Sequence, residues 1–306
     1  MQSMTCLLLV LCLACARSAP PTDFESHMAA ALATRAEELL EAGEDDRARD
    51  AAERALQRAV SSGARTAEAR ALHVLGLLDG DLSRLQRALD LLQNETPSPA
   101  LWRQRNVLAE LALEQQLPQE VLRLVTRNLA ESADWPNLEA RMRSEAHSHH
   151  LRGQALAQLD RGDEAFGAER QASLALSVLD DADQLPLRRA VAQSLGDAYA
   201  LRSDPVEAFE QHSLAGSLAQ GLGLSSEEFL AVSCMSRDLV HMGRWLDAAD
   251  HARRGVRLAR QHLSPAHALQ LGHEALTWLD GDSSAEADAH RAALRATLAG
   301  LEPRGG

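Results

Sequence analysis

Leu-Arg-Gly-Gln-Ala-Leu-Ala-Gln-Leu-Asp-Arg-Gly-Asp-Glu-Ala at 151–165 and Leu-Gly-Asp-Ala-Tyr-Ala-Leu-Arg-Ser-Asp-Pro-Val-Glu-Ala-Phe at 195–209 share one cadence. Each reads as an Ala-rich helix with a glycine on one face, a polar turn, and a second helix opening on Glu-Ala. The matching glycines, Gly153 and Gly196, stand 43 residues apart, and weaker copies recur along the chain. A helix-turn-helix unit of this period cannot hide its apolar face alone, so its neighbours must stack on it. The expected fold class is therefore an all-α solenoid, whose usual mode of action is to present surface to a partner.

The turns carry the same signal. Leu78-Asp79-Gly80-Asp81 and Leu279-Asp280-Gly281-Asp282 are one tetrapeptide used twice, and Leu159-Asp160-Arg161-Gly162-Asp163 is a one-residue expansion of it. In each, the glycine is expected to take the left-handed conformation that ends a helix. The following aspartate is expected to accept hydrogen bonds from the first N–H groups of the next helix. Breaks at Ser61-Ser62-Gly63, Pro97-Ser98-Pro99, Trp135-Pro136, Asp180-Asp181, Gly221-Leu222-Gly223 and Ser264-Pro265 separate the units. Seven helical hairpins are predicted between 24 and 301, with residues 302–306 as a disordered tail.

Leu195, Gly196, Tyr199, Ala208 and Ala215 resemble positions 7, 8, 11, 20 and 27 of the tetratricopeptide repeat. Gly153, Leu156, Ala165 and Ala172 match the preceding unit, Met235, Leu239 and Ala248 the following one, and Ala36, Leu39, Ala48 and Ala55 the first. At position 24, where the family has an aromatic residue, stand His212, Glu169, Ala252 and Ala52. The second, third and seventh units match less well; in the third, Val121 takes the place of an alanine. Small residues at positions 8 and 20 let the two helices of a hairpin approach closely, and large ones fill the surrounding gaps.

The resemblance implies a right-handed α-solenoid whose concave groove is lined by positions 2, 5, 9, 12 and 13 of each first, or A, helix. Those positions select Glu37 and Glu41 in the first unit and His147, His150, Gln154 and Gln158 in the fourth. They select Gln193 and Asp197 in the fifth, and Ser233, Arg237 and His241 in the sixth. A polar groove of this kind holds a peptide or helix reversibly.

Composition excludes other classes. Of the 306 residues, 45% are hydrophobic but only 3% aromatic, which suits closely packed helices rather than sheets. The net charge of −13 argues against a nucleic-acid partner. The cluster Arg253, Arg254, Arg257 and Arg260 is expected to be an ion-paired solvated face. Three of the four cysteines, Cys6, Cys12 and Cys15, lie at the amino terminus, so Cys234 has no disulfide partner and is expected to be a buried structural thiol.

The start, Met1 to Cys15, reads as a secretory signal: its apolar run suits an h-region and is too short to span a bilayer. Cys12-Leu13-Ala14-Cys15 resembles a bacterial lipobox, making Cys15 a lipidation candidate; a plainly secreted chain and an uncleaved start are the alternatives. Residues 16–23, with Pro20-Pro21, would then form a flexible tether. By resemblance, Ala16 after the cysteine places the anchor on the periplasmic face of an outer membrane.

No catalytic constellation emerges. His147, His149 and His150 cluster near the expected start of a helix, the first and last at i, i+3, yet no Cys or acidic quartet completes a metal site. His273-Glu274-Ala275-Leu276-Thr277 lacks the second histidine of a zinc-protease motif, and the stretch from Asp280 lacks the glycine and closing glutamate of a calcium loop. The expectation is a non-enzymatic scaffold of the cell envelope with a protein or peptide partner, no cofactor and no metal. The alternatives are a cytoplasmic peptide sensor and, behind it, a metal-dependent enzyme.

Overall fold

Alanine and leucine at helical spacing give fourteen α-helices and no strand among the described residues of the computed structural model. Those residues are 23–92, 99–132, 135, 137–179, 182–280, 282–299 and 301. The signal-like start, the tether to residue 22, the lipidation candidate Cys15 and the 302–306 tail lie outside them.

The chain divides into two compact units at Gln115/Gln116. The first holds α1 (Asp23–Glu41), α2 (Asp45–Ser62), α3 (Arg65–Asp79), α4 (Leu82–Leu92) and α5 (Pro99–Glu114). The second holds α6 (Pro118–Ser132), α7 (Leu138–Gln158), α8 (Gly162–Ser177), a 3-10 turn (Ala182–Gln184), α9 (Leu185–Leu201) and α10 (Pro205–Leu222). It continues with α11 (Ser225–His241), α12 (Trp245–His262), α13 (Pro265–Trp278) and α14 (Ala285–Leu298). The division falls inside the third expected hairpin, one of the units that departs most from the repeat pattern.

Within each unit, apolar clusters run from one hairpin into the next. Ala36, Leu39, Ala48, Ala52 and Val74 join α1, α2 and α3. In the second unit Ala146, Ala172, Leu176, Val191 and Leu195 join α7 and α8 to α9, and Ala192, Ala215 and Ala231 join α9, α10 and α11. Phe166 and Tyr199 meet edge to face at 5.0 Å across the same junction. At these junctions, within each unit, one hairpin hides its flank against the next, as the repeat pattern requires.

The turns follow the expected chemistry at one site and depart from it at another. Gly80 is left-handed (φ 62°), and Asp81 Oδ1 accepts hydrogen bonds from the Ser83 and Arg84 amides at 2.9 and 3.3 Å. In the expanded turn, the left-handed residue is Asp160 (φ 57°), while Gly162 is already the first residue of α8. The extra residue moves the helix end one step earlier, and aspartate tolerates that conformation better than most non-glycine residues.

Gly153 and Gly196 are required by what lies over them. A Cβ on Gly196 would sit 2.4 Å from the His212 ring, and one on Gly153 would sit 2.6 Å from the Glu169 carboxylate. The small residue at position 8 thus makes room for the position 24 side chain. Gly196→Ala is expected to cost about 1–3 kcal/mol, because the ring cannot move without losing its partners. Thermal unfolding checks it, and an unchanged midpoint contradicts the packing.

Candidate functional site

Two polar clusters occupy the second unit at equivalent places. His150, Gln154 and Glu169 form one; Gln193, Asp197 and His212 form the other, each member 43 residues beyond its counterpart. Both are built where an A-helix glycine leaves space for a side chain from the second, or B, helix.

In the first cluster, α7 presents His150 and Gln154 and α8 presents Glu169. The His150 Nδ1–H donates to Glu169, at 2.9 Å from Oε2 and 3.1 Å from Oε1, and the Gln154 amide donates to Nε2 at 3.1 Å. That pattern is self-consistent for a neutral imidazole. His150 and Glu169 are both buried. Burial pushes the Glu169 carboxyl above the usual glutamate range, and the hydrogen bond from His150 pulls it part of the way back.

The second cluster reverses the polarity. His212 comes from α10, with its Nδ1–H donating to Asp238 Oδ2 on α11 at 2.6 Å and its Nε2–H donating to Asp197 Oδ1 on α9 at 3.1 Å. The His212 and Asp238 side chains are 2% and 3% exposed; that of Asp197 is 56% exposed. Burial lowers the imidazole pKa, but hydrogen bonds and charge from Asp197 and Asp238 outweigh it and push it up to about 9. At neutral pH His212 is an imidazolium tying three helices together.

This junction also holds Gln193 and Cys234. The Gln193 amide donates to Asp197 Oδ1 at 3.1 Å and lies 3.6 Å from Cys234 Sγ. Cys234 is therefore a half-buried thiol in polar company, not the buried structural thiol expected from the sequence. Burial pushes its pKa up to about 11, with the Asp197 charge adding to the rise.

Among the other expected groove residues, Glu37 accepts from Arg70 across α1 and α3, with Nε to Oε1 at 2.8 Å, and Glu41 is exposed. Arg237 pairs with Glu274 of α13 at 3.0 Å, and Ser233 donates to the Phe229 carbonyl. His147 is half-buried, while Gln158 and His241 are exposed. The histidine cluster stands mid-helix, because α7 begins at Leu138, nine residues before His147. His150 spends both ring nitrogens on Glu169 and Gln154, so it is not paired with His147 as a ligand set. The basic cluster on α12 is anchored as expected at two places: Arg253 pairs with Asp250, and Arg254 with Glu228.

Sequence reasoning placed His150, Gln154, Gln193 and Asp197 on this wall but missed Glu169, His212 and Asp238. The first two stood out only as departures from an aromatic slot. A polar residue in a buried slot demands partners, which marks both positions, but the 43-residue offset pairs the two slots with each other and does not point to Asp238.

No protein-family model matches the sequence, and no curated protein matches it. In structure, the chain is similar to a Rap protein complexed with competence and sporulation factor, with a TM-score of 0.51 and 12% identity over 90% of this chain and 100% of that one. It is also similar to a signal-transduction ATPase with a tetratricopeptide repeat sensor from Pyrococcus horikoshii. There the TM-score is 0.52 at 11% identity, over 81% of this chain and 40% of that longer one. The Pseudomonas aeruginosa pilF protein aligns over 88% of this chain and 98% of its own, with 18% identity and a TM-score of 0.48. For the first two, at these identities, the likeness is one of fold: an all-α array of tetratricopeptide-type hairpins.

Proposed function

We propose that this protein is an interaction scaffold of the cell envelope, and that a peptide or helix of a partner protein docks on the A helices of the second unit. The observation that carries the reading is the wall on α7, α9, α11 and α13. Its polar side chains stand at repeating positions, braced by one another: Gln154 on His150, Gln193 on Asp197, Arg237 on Glu274. Braced polar groups lose little freedom when a ligand arrives, which favours binding. The similarly folded Rap protein, solved complexed with competence and sporulation factor, supports use of such an array as a receptor.

The test is site-specific photo-crosslinking in cells, with the crosslinker at Gln158 or His241 on the wall, or at Leu174, an exposed residue of the B helix α8. Both wall positions are expected to yield the same partner and Leu174 none. The same product from Leu174, or none from the wall, contradicts the reading.

Export is part of the proposal and rests on Met1–Cys15. Among the described residues no helix is long and apolar enough to cross a membrane; the attachment proposed is a lipid at Cys15. Mass spectrometry of the mature protein is expected to find an amino terminus at acylated Cys15. An intact Met1 in the cytosolic fraction overturns envelope placement.

A further inference from the structure

We infer that Asp197, His212 and Cys234 form a binding site for a zinc-class divalent cation where α9, α10 and α11 meet. No spacing along the chain announces it, because each ligand comes from a different helix. The inference goes beyond partner docking and stands independently of it.

Geometry is the first support. Asp197 Oδ1, His212 Nε2 and Cys234 Sγ all lie within 4.8 Å of one another. Nε2 to Oδ1 is 3.1 Å and Sγ to Oδ1 is 4.0 Å. Tetrahedral zinc, with bonds of about 2.0–2.3 Å, sets its ligand atoms roughly 3.3–3.8 Å apart. Nε2 and Sγ lie within 4.8 Å, so closing the set needs them to approach by up to about 1 Å. That movement falls to the half-buried Cys234 side chain, while the exposed Asp197 carboxylate adjusts by a few tenths of an ångström. Thiolate, imidazole and carboxylate together select zinc over calcium or magnesium.

The surroundings are those of a metal-binding histidine. Asp238 accepts from His212 Nδ1 at 2.6 Å, the outer carboxylate that fixes the ring and aims Nε2 at a metal. Gln193 is only 8% exposed, and its Oε1 is buried without a hydrogen-bond partner while its amide nitrogen faces Asp197 and Cys234. A half turn of the amide points that orphaned oxygen at the same place as a fourth ligand. Arg237, the neighbouring cation, is held away by Glu274 at 3.0 Å.

The exchange also balances. In the metal-free protein at neutral pH, His212 and Cys234 both hold protons. On binding, the proton on Nε2 and the proton on Sγ leave to solvent, and Nε2, Sγ and Oδ1 each form one bond to the cation. Two unit charges depart and one dication arrives, so the net charge of the junction does not change.

The test uses the full chain, stripped with a chelator and titrated with Co2+ and then Zn2+. One Co2+ per chain is expected, with a thiolate-to-cobalt charge-transfer band that Zn2+ abolishes. Cys234→Ser is expected to remove the band, and Cys234→Ser and Asp197→Asn each to weaken Zn2+ binding by at least roughly 100-fold, since loss of even an outer partner costs about 10–100-fold. Circular dichroism melting checks that both variants fold; Asp197, being exposed, keeps the test valid if the cysteine variant does not. Absence of the band, or equal Zn2+ affinity in the wild type and the folded variants, overturns the site.

Discussion

His212→Leu lowers the stability of the second unit by about 3–5 kcal/mol at neutral pH, although leucine is the more apolar residue. The loss comes from what is left behind. Asp238 is 3% exposed on its side chain, and without His212 its carboxylate faces a protein interior with no cation opposite. Burying one unpaired charge costs more than a well-packed leucine returns. His212→Leu combined with Asp238→Asn is expected to recover most of the loss. Full additivity of the two single losses contradicts the pairing.

The same pair sets a pH dependence in the metal-free protein. The His212 pKa rises on folding from the ordinary 6.5 to about 9. A group raised in this way contributes stability that is fully present below pH 6.5 and is lost as pH climbs through about 9. The contribution is about 3 kcal/mol, from about 1.4 kcal/mol per pKa unit. The titratable groups facing the ring are Asp197 from α9 and Asp238 and Cys234 from α11. Chemical denaturation between pH 6 and pH 10 is therefore expected to narrow the gap between wild type and His212→Leu. A constant gap removes the imidazolium.

Ala208→Arg produces a loss of similar size by a different route. Ala208 opens the contact between α10 and α9 and is 0% exposed. An arginine there would put a charge into a fully buried helix contact sized for a methyl group, and the expected cost is about 3–5 kcal/mol. That corresponds to a drop in melting temperature of roughly 10 °C for a unit of this size. Glu210→Arg, two residues on and exposed, is expected to change stability by less than about 0.5 kcal/mol. Equal melting of Ala208→Arg and the wild type would mean that the repeat register is wrong.

Much of the fold was legible because repeats encode the same physics several times. Glycines 43 residues apart, turns such as Leu78-Asp79-Gly80-Asp81, and prolines between hairpins each mark a boundary independently. Pro265 does end α12 and open α13, as expected. The turn at Asp160 was misread because the extra residue in its loop leaves two candidates for the left-handed position, and only the backbone decides between them.

The candidate site was half legible. The repeat register put His150, Gln154, Gln193 and Asp197 on one wall, since position along an A helix determines which way a side chain faces. It did not say what they touch. Asp238 and Cys234 lie outside the register's groove positions, and they join the cluster only because α11 packs beside α9. In the unit that follows, Ala252 fills the aromatic slot and is fully buried. No polar group from that slot competes for Asp238, which reaches back to His212 instead. That long-range choice of partner has no local signature in the chain.

Nitrogen-15 NMR of the imidazoles in the chelator-treated protein tests the junction most directly. His212 is expected to carry protons on both Nδ1 and Nε2 at pH 7 and to titrate near pH 9. A singly protonated ring at pH 7, or a titration at or below pH 6.5, would contradict the ion triad that holds α9, α10 and α11 together.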